Sequence, residues 1–336
     1  NERLSHEKEF TNAVLRTVGA LVAVVDRRGR VVTFNRACEV VTGMAEATAV
    51  GTRLGDLIPD PDAAAHFRLD ELGGARLAGS LTTGLRTAAG EERIVRWTFT
   101  TLRGPEDVAS HLICTGIDVT ERDRAAALLR AEREILEMVA RSEPLPTIAA
   151  RICRAVEEQM PHRHTALMLL DDQEAVLHHC AAPTLPMEFL NAIDGTVVGR
   201  GAGSCAVAAF TGQPEFAADI EIDTAWTEDR EVALRAGLRS CWSIPILSSS
   251  ERVLGTFAVY GGEPRLPDDL AAEVMQRAGR LAAIAIERHR AAERIRYLAL
   301  YDQLTGLANR SLLSDRLQSA LAHARRHETK VALLFI

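Results

Sequence analysis

Two stretches of this chain repeat residues at alternating spacings of 3 and 4, and the segments around them break into short apolar runs bounded by turns. The first repeat joins Ala125, Leu128, Glu132, Ile135 and Val139 in a segment rich in Ala, Arg and Glu, closed by Pro144 and Pro146. The second joins Leu281, Ile284, Arg288, Ala291, Ile295 and Leu298. Such spacing lays one stripe along a helix and marks coiled-coil connectors. Helical spacing is also expected at residues 4–18 (Phe10, Val14, Val18) and at Ile148, Ile152 and Val156. The runs Leu21 to Val25, Val31 to Phe34, Thr165 to Leu170 and Ala175 to Cys180 have the length and punctuation of strands. A chain of 336 residues divided in this way holds roughly two to three domains with separate cores.

Composition narrows the partners. Net charge is -7 with both signs interspersed, and aromatic content is 4%, so neither a basic footprint nor stacking platforms for nucleic acid are present. No apolar run approaches the ~18 residues that span a bilayer, the nearest being Gly19 to Val25, and no signal peptide is visible. A cytoplasmic segment is expected, with a membrane anchor only outside these residues. The six cysteines form no C-x-x-C pair and read as buried apolar fillers in a reducing compartment, not as a disulfide or zinc set. No metal is assigned, since His162 and His164 stand alone beside Pro161.

Three motif sets carry resemblances. The turn Asp26-Arg27-Arg28-Gly29 leads through a strand to Phe34-Asn35-Arg36-Ala37, where Asn35 suits a helix N-cap, and on to Thr42-Gly43. With the exit strand Leu112 to Val119 and its Thr120-Glu121-Arg122 tail, this resembles a PAS domain. Gly199-Arg200-Gly201-Ala202-Gly203-Ser204-Cys205, then Ala236-Gly237-Leu238 through Ile246, then Val253-Leu254-Gly255, resemble the GAF family. Asp302, Leu304, Thr305, Gly306, Leu307, Asn309 and Arg310 match the D-x-L-T-G-L-x-N-R start of a GGDEF domain, and Val331 to Ile336 reads as its first buried strand.

The resemblances imply an α+β fold in which a PAS and a GAF domain, each an antiparallel sheet flanked by helices, are joined by long coiled-coil helices. The expected limits are PAS 1–121, helical linker 122–143, GAF 144–290 with its last helix (about 268–300) continuing as a signalling helix, and a GGDEF fragment at 297–336. The family's metal-binding aspartates and GG(D/E)EF signature do not occur, so no catalytic residue is assigned, and Mg²⁺ and GTP belong to the part that follows. The chain begins at Asn1 and is expected to be cut at both ends.

The function implied is that of the sensory region of a bacterial cyclic di-GMP signalling enzyme, passing a PAS or GAF signal through helices to a diguanylate cyclase domain. The alternatives are the input region of a GGDEF-EAL phosphodiesterase and a ligand-free dimerisation scaffold. A homodimer through the seam Leu281, Ile284, Arg288, Ala291, Ile295 and Leu298 is expected, against the alternative that this stripe packs on its own sheet.

No small-molecule ligand is named by the sequence. In haem-binding PAS sensors a histidine follows a Leu-Ile-Pro corner, and His66 follows Leu57-Ile58-Pro59 at that offset, but Phe67-Arg68-Leu69-Asp70 lacks the Tyr of those sensors, so a solvent-exposed helix histidine is the favoured reading. The flavin-binding cysteine motif is absent. His178 and His179 lie on a strand, so alternation sends one of them inward to a GAF pocket that could hold haem or another ligand. The glycines at 199, 201 and 203 lack the Lys-Ser/Thr of a phosphate loop and read as a tight turn. Trp226 and Trp242 read as core.

Overall fold

The computed structural model describes residues 19–68, 80–104, 109–171 and 173–333, so the helix expected at 4–18 lies outside the described residues. The chain divides into two compact units, Asn1–Ala127 and Leu128–Ile336.

In the first unit, β1 (Leu21–Asp26) and β2 (Val31–Phe34) form the hairpin. Three short helices follow, α1 (Arg36–Thr42), α2 (Glu46–Ala49) and α3 (Pro61–Ala65). The long strands β3 (Ser80–Arg86), β4 (Glu92–Arg103) and β5 (Ala109–Asp118) complete an antiparallel sheet of order β2-β1-β5-β4-β3. Leu21, Ala23 and Val25 alternate into the core from β1. Gly29 closes the hairpin at φ +78, and a Cβ there would meet the carbonyl oxygen of Phe67 at 2.8 Å, so only glycine fits. Asn35 caps α1 by accepting from the Cys38 amide, as the sequence predicts. It also pairs with the Val22 amide and the Ala20 carbonyl, which ties the helix start to β1. Phe67 fills the centre, edge-on to Trp97 and Phe99 at 5.2 Å from each.

Helix α4 (Thr120–Ala140) leaves the first unit and enters the second. The helix covers most of the linker expected at 122–143. Ala131, Ile135 and Val139 are buried in the second unit's core with α5 (Leu145–Glu157), because the stripe marked by the 3-4 spacing is covered within the same chain. The repeat correctly signalled a buried face; it did not say what covers it.

The second unit's sheet joins β6 (Arg163–Asp171), β7 (Val176–Ala181), β8 (Thr196–Val197), β9 (Glu215–Ala217), β10 (Ser240–Leu247) and β11 (Val253–Gly261) in the order β8-β7-β6-β11-β10-β9, all antiparallel. Both β10 and β11 are covered on two faces, which is why they read as nearly unbroken apolar runs. One face carries Leu167, Ile244, Ile246 and Phe257 against α4, α5 and α9 (Asp269–Leu300). The other carries Ala166, Met168, Ala258 and Tyr260 beneath α6 (Met187–Ile193), α7 (Gly203–Thr211) and α8 (Arg230–Arg235).

Helix α9 packs on the sheet through Val274, Met275, Ala278, Ala282, Ala285 and Ile286 and then runs on to α10 (Arg310–His327). The strand expected from Val331 does not form over its described part. Residues 331–333 have no regular structure, and no described strand lies beside them to pair with, while 334–336 lie outside the described residues.

Candidate functional site

The second unit's α7 face holds a small cleft. Its wall is the turn into α7, where the Gly203 amide donates to the Ala225 carbonyl at 2.7 Å and the Trp226 indole N–H donates to Ser204 Oγ at 3.0 Å. Met168, Ile193, Thr196, Cys205, Asp229 and Tyr260 complete the lining. Phe189 lies edge-on to Tyr260 at 5.5 Å and fixes the phenol's plane. Tyr260 Oη reaches Cys205 Sγ at 3.5 Å. The free space is about 10 Å³, enough for one water. Burial, and after it the neighbouring Glu228, pushes the Asp229 carboxyl up.

The sequence missed this cluster. Its one local signal was the glycine turn before Ser204, whereas Cys205, Cys241 and Tyr260 come from three separate elements and meet only through the sheet pairing of Cys241 with Tyr260.

The histidines expected near a pocket are elsewhere. The inward turn expected of His178 or His179 does not occur: both side chains are exposed, at 49% and 38%. Pairing with β6 is regular through both histidines and shifts only beyond them, between His179 and Ala181, and neither ring is buried although they occupy successive positions of the strand. Both rings turn to Asp194, with His179 Nδ1 at 3.0 Å and His178 Nδ1 at 3.5 Å from Oδ1. His66 caps α3, half-buried, with Nδ1 against the Asp62 carbonyl at 3.0 Å, and it is the next residue, Phe67, that enters the core. Trp226 and Trp242 are core residues, and the Arg163 guanidinium sits 4.4 Å over the Trp242 ring. Among the described residues no cluster of three or more metal-ligating side chains occurs, and no helix is long and apolar enough to cross a membrane.

The seam residues divide. Leu281 packs against the unit's own core, whereas Ile284, Arg288, Ala291, Ile295 and Leu298 stay exposed, Ile295 at 68%. The stripe that packs on the sheet is thus a different one, a few residues around the helix.

Where α9 ends, the motif from Asp302 to Arg310 builds a compact joint. Asp302 Oδ1 accepts from the amides of Leu304 and Thr305 and from the Thr305 hydroxyl, and these bonds hold its carboxyl below the usual range. Gly306, at φ +70, donates to the Asp302 carbonyl, and the Asp302 amide donates to that of Leu307. Asn309 caps α10 through the Ser311 and Leu312 amides, and Arg310 opens the helix, exposed. Tyr297 and Tyr301 stack at 4.8 Å across the end of α9. Leu304 and Leu307 remain exposed, at 94% and 69%.

Family comparison accounts for the units in order. Residues 15–124 match the PAS fold, 142–287 the GAF domain, and 299–336 the diguanylate cyclase GGDEF domain. A methyl sulfide methyltransferase-associated sensor of Methanosarcina acetivorans is 32% identical over 193 residues, 56% of this chain and 19% of that protein. The cyclic di-GMP phosphodiesterase PdeR of Escherichia coli is 29% identical over 129 residues, 38% of this chain and 20% of that protein. The chain thus spans about a fifth of the length of these relatives. Among solved structures, the GAF domain of an Acinetobacter phosphoenolpyruvate-protein phosphotransferase aligns at a TM-score of 0.40 and 14% identity, over 50% of this chain and 97% of that one. The fold and the three matches agree that this chain carries a PAS domain, a GAF domain and the opening of a GGDEF domain, in that order.

Proposed function

We propose that the chain is the input region of a cyclic di-GMP signalling enzyme, in which the state of the PAS and GAF domains sets the pairing of two GGDEF domains. The continuity of α9 carries this reading. One helix is anchored in the GAF core through Ile286 and arrives without a break at the Asp302 joint, so a shift of its axis is delivered directly to α10. The exposed residues Ile284, Ile295 and Leu298 lie at coiled-coil spacing on its free side and support a homodimer. Two dimer states that differ in seam register would bring the catalytic domains together or hold them apart, and a signal acts only through its differential affinity for the two.

The test is light scattering on the chain, paired with cyclic di-GMP synthesis by the chain extended through its complete GGDEF domain. Ile284→Asp with Ile295→Asp is expected to give a monomer and to lose synthesis. Unchanged mass and unchanged synthesis would sink the proposal.

The likeness to PdeR favours a second reading, in which the whole protein degrades cyclic di-GMP. Hydrolysis of cyclic di-GMP by the extended chain, without synthesis, would select it.

A further inference from the structure

The six cysteines are not alike. Burial pushes Cys38 and Cys153 up to about 12 and Cys180 up to about 11, and it raises Cys114 as well, so these four are inert fillers. Cys205 and Cys241 stand apart because α7 and β10 bring both into one core cluster around Tyr260, which is the strand partner of Cys241. Tyr260 Oη meets Cys205 Sγ at 3.5 Å.

The hydroxyls around them point to a charged sulfur. Ser243 Oγ and Thr256 Oγ1 are fully buried and complete no hydrogen bond, although both lie beside the Cys205 sulfur. A buried hydroxyl without a partner carries an uncompensated desolvation penalty, and a thiolate at Cys205 would give each a strong acceptor. Cys205 is the member of the pair that meets the Tyr260 hydroxyl, and burial pushes Cys241 up, so Cys205 is the one placed to hold a charge. Of the pair, Cys205 is the one that lines the cleft.

We propose that Cys205 and Cys241 form a peroxide-reactive dithiol in the GAF cleft, which closes to a disulfide linking α7 to β10. The Cys205 thiolate attacks one oxygen of hydrogen peroxide. The S–O bond forms, the O–O bond breaks, and hydroxide leaves to take a proton from solvent, which gives a sulfenic acid and water. Cys241 then gives up its proton and attacks that sulfur. The S–S bond forms, the S–O bond breaks, and the departing hydroxide recombines with the proton as a second water. Two thiols are oxidised by two electrons and one peroxide is reduced. The chemistry stands on the cleft alone; only its use as an input signal rests on the function proposed above.

The experiment treats the reduced chain with hydrogen peroxide, alkylates it, and maps its peptides by mass spectrometry. The expected product has lost two hydrogens, links the Cys205 and Cys241 peptides, leaves the other four cysteines alkylated, and reverts with dithiothreitol. Cys241→Ser should stop at a sulfenic acid on Cys205 that a dimedone probe captures, and Tyr260→Phe should slow that capture roughly tenfold by removing a bond to the charged sulfur. Free thiols at both positions, under peroxide that oxidises glutathione in the same tube, would overturn the proposal. So would earlier oxidation at any other cysteine. If Cys241→Ser does not fold, the peptide map of the unaltered chain decides alone. A chain that forms the disulfide yet is monomeric in light scattering would sink the input reading and leave the dithiol standing.

Discussion

The side-chain amide of Asn309 donates to the carbonyl of Ala299 at 2.7 Å, so the residue that caps α10 also holds the last turn of α9. Asn309→Ala removes both functions at once. The expected loss is about 2 kcal/mol of local stability, a cap and one further hydrogen bond. Hydrogen exchange should accelerate at the Ser311 and Leu312 amides while the melting of the PAS and GAF units stays unchanged. Unaltered exchange there would mean that the joint is held by something else.

Ile135 reports where the connector ends. It is 1% exposed and lies in the GAF core, so Ile135→Ala should cost about 3 kcal/mol and lower the GAF unfolding transition. The PAS transition should not move. A change in the PAS transition alone would reverse the assignment of this half of α4.

The half-buried carboxyl of Asp229 gives a pH signature. Its folded pKa lies above the ordinary value of 3.8, so the folded state holds its proton more tightly than the unfolded chain does. GAF stability is therefore highest below that ordinary value and falls as the pH rises through the folded pKa. Asp229→Asn should stabilise the unit at neutral pH, and the advantage should vanish in acid. An advantage that grows in acid would contradict the burial of this group.

His66 offers an optical test. Its Nδ1 is engaged by Asp62, its ring stands at a helix end, and aromatic rings fill the core beside it. The purified chain is expected to show the absorbance of protein alone, and His66→Ala to change stability by less than about 0.5 kcal/mol. A Soret band lost in that variant would make His66 a haem ligand.

The sequence disclosed most where one residue does a local job. Asn35, Gly29 and the Asp302 to Arg310 joint each satisfy backbone groups within a few positions, and short apolar runs located β1, β2, β6 and β7. It disclosed least where distant elements meet. The Asp194 carboxylate that both histidine rings meet lies fifteen residues or more away in sequence, and the 3-4 spacing of α4 is the same whether a partner chain or α5 covers it. Cys205 and Cys241 looked like isolated fillers because nothing in their neighbourhoods shows that α7 lies over β10.

Helix α9 also has a mechanical consequence. Every residue from 291 to 299 is exposed, so between the sheet and the joint that Asn309 closes on Ala299 no residue of this segment is buried. A helical stretch that short is marginal by itself in water. In the proposed dimer, a second strand wound against it would stiffen this segment into a rod that transmits torque. On that reading, the local protein concentration would set how firmly a signal from the GAF domain reaches Asp302.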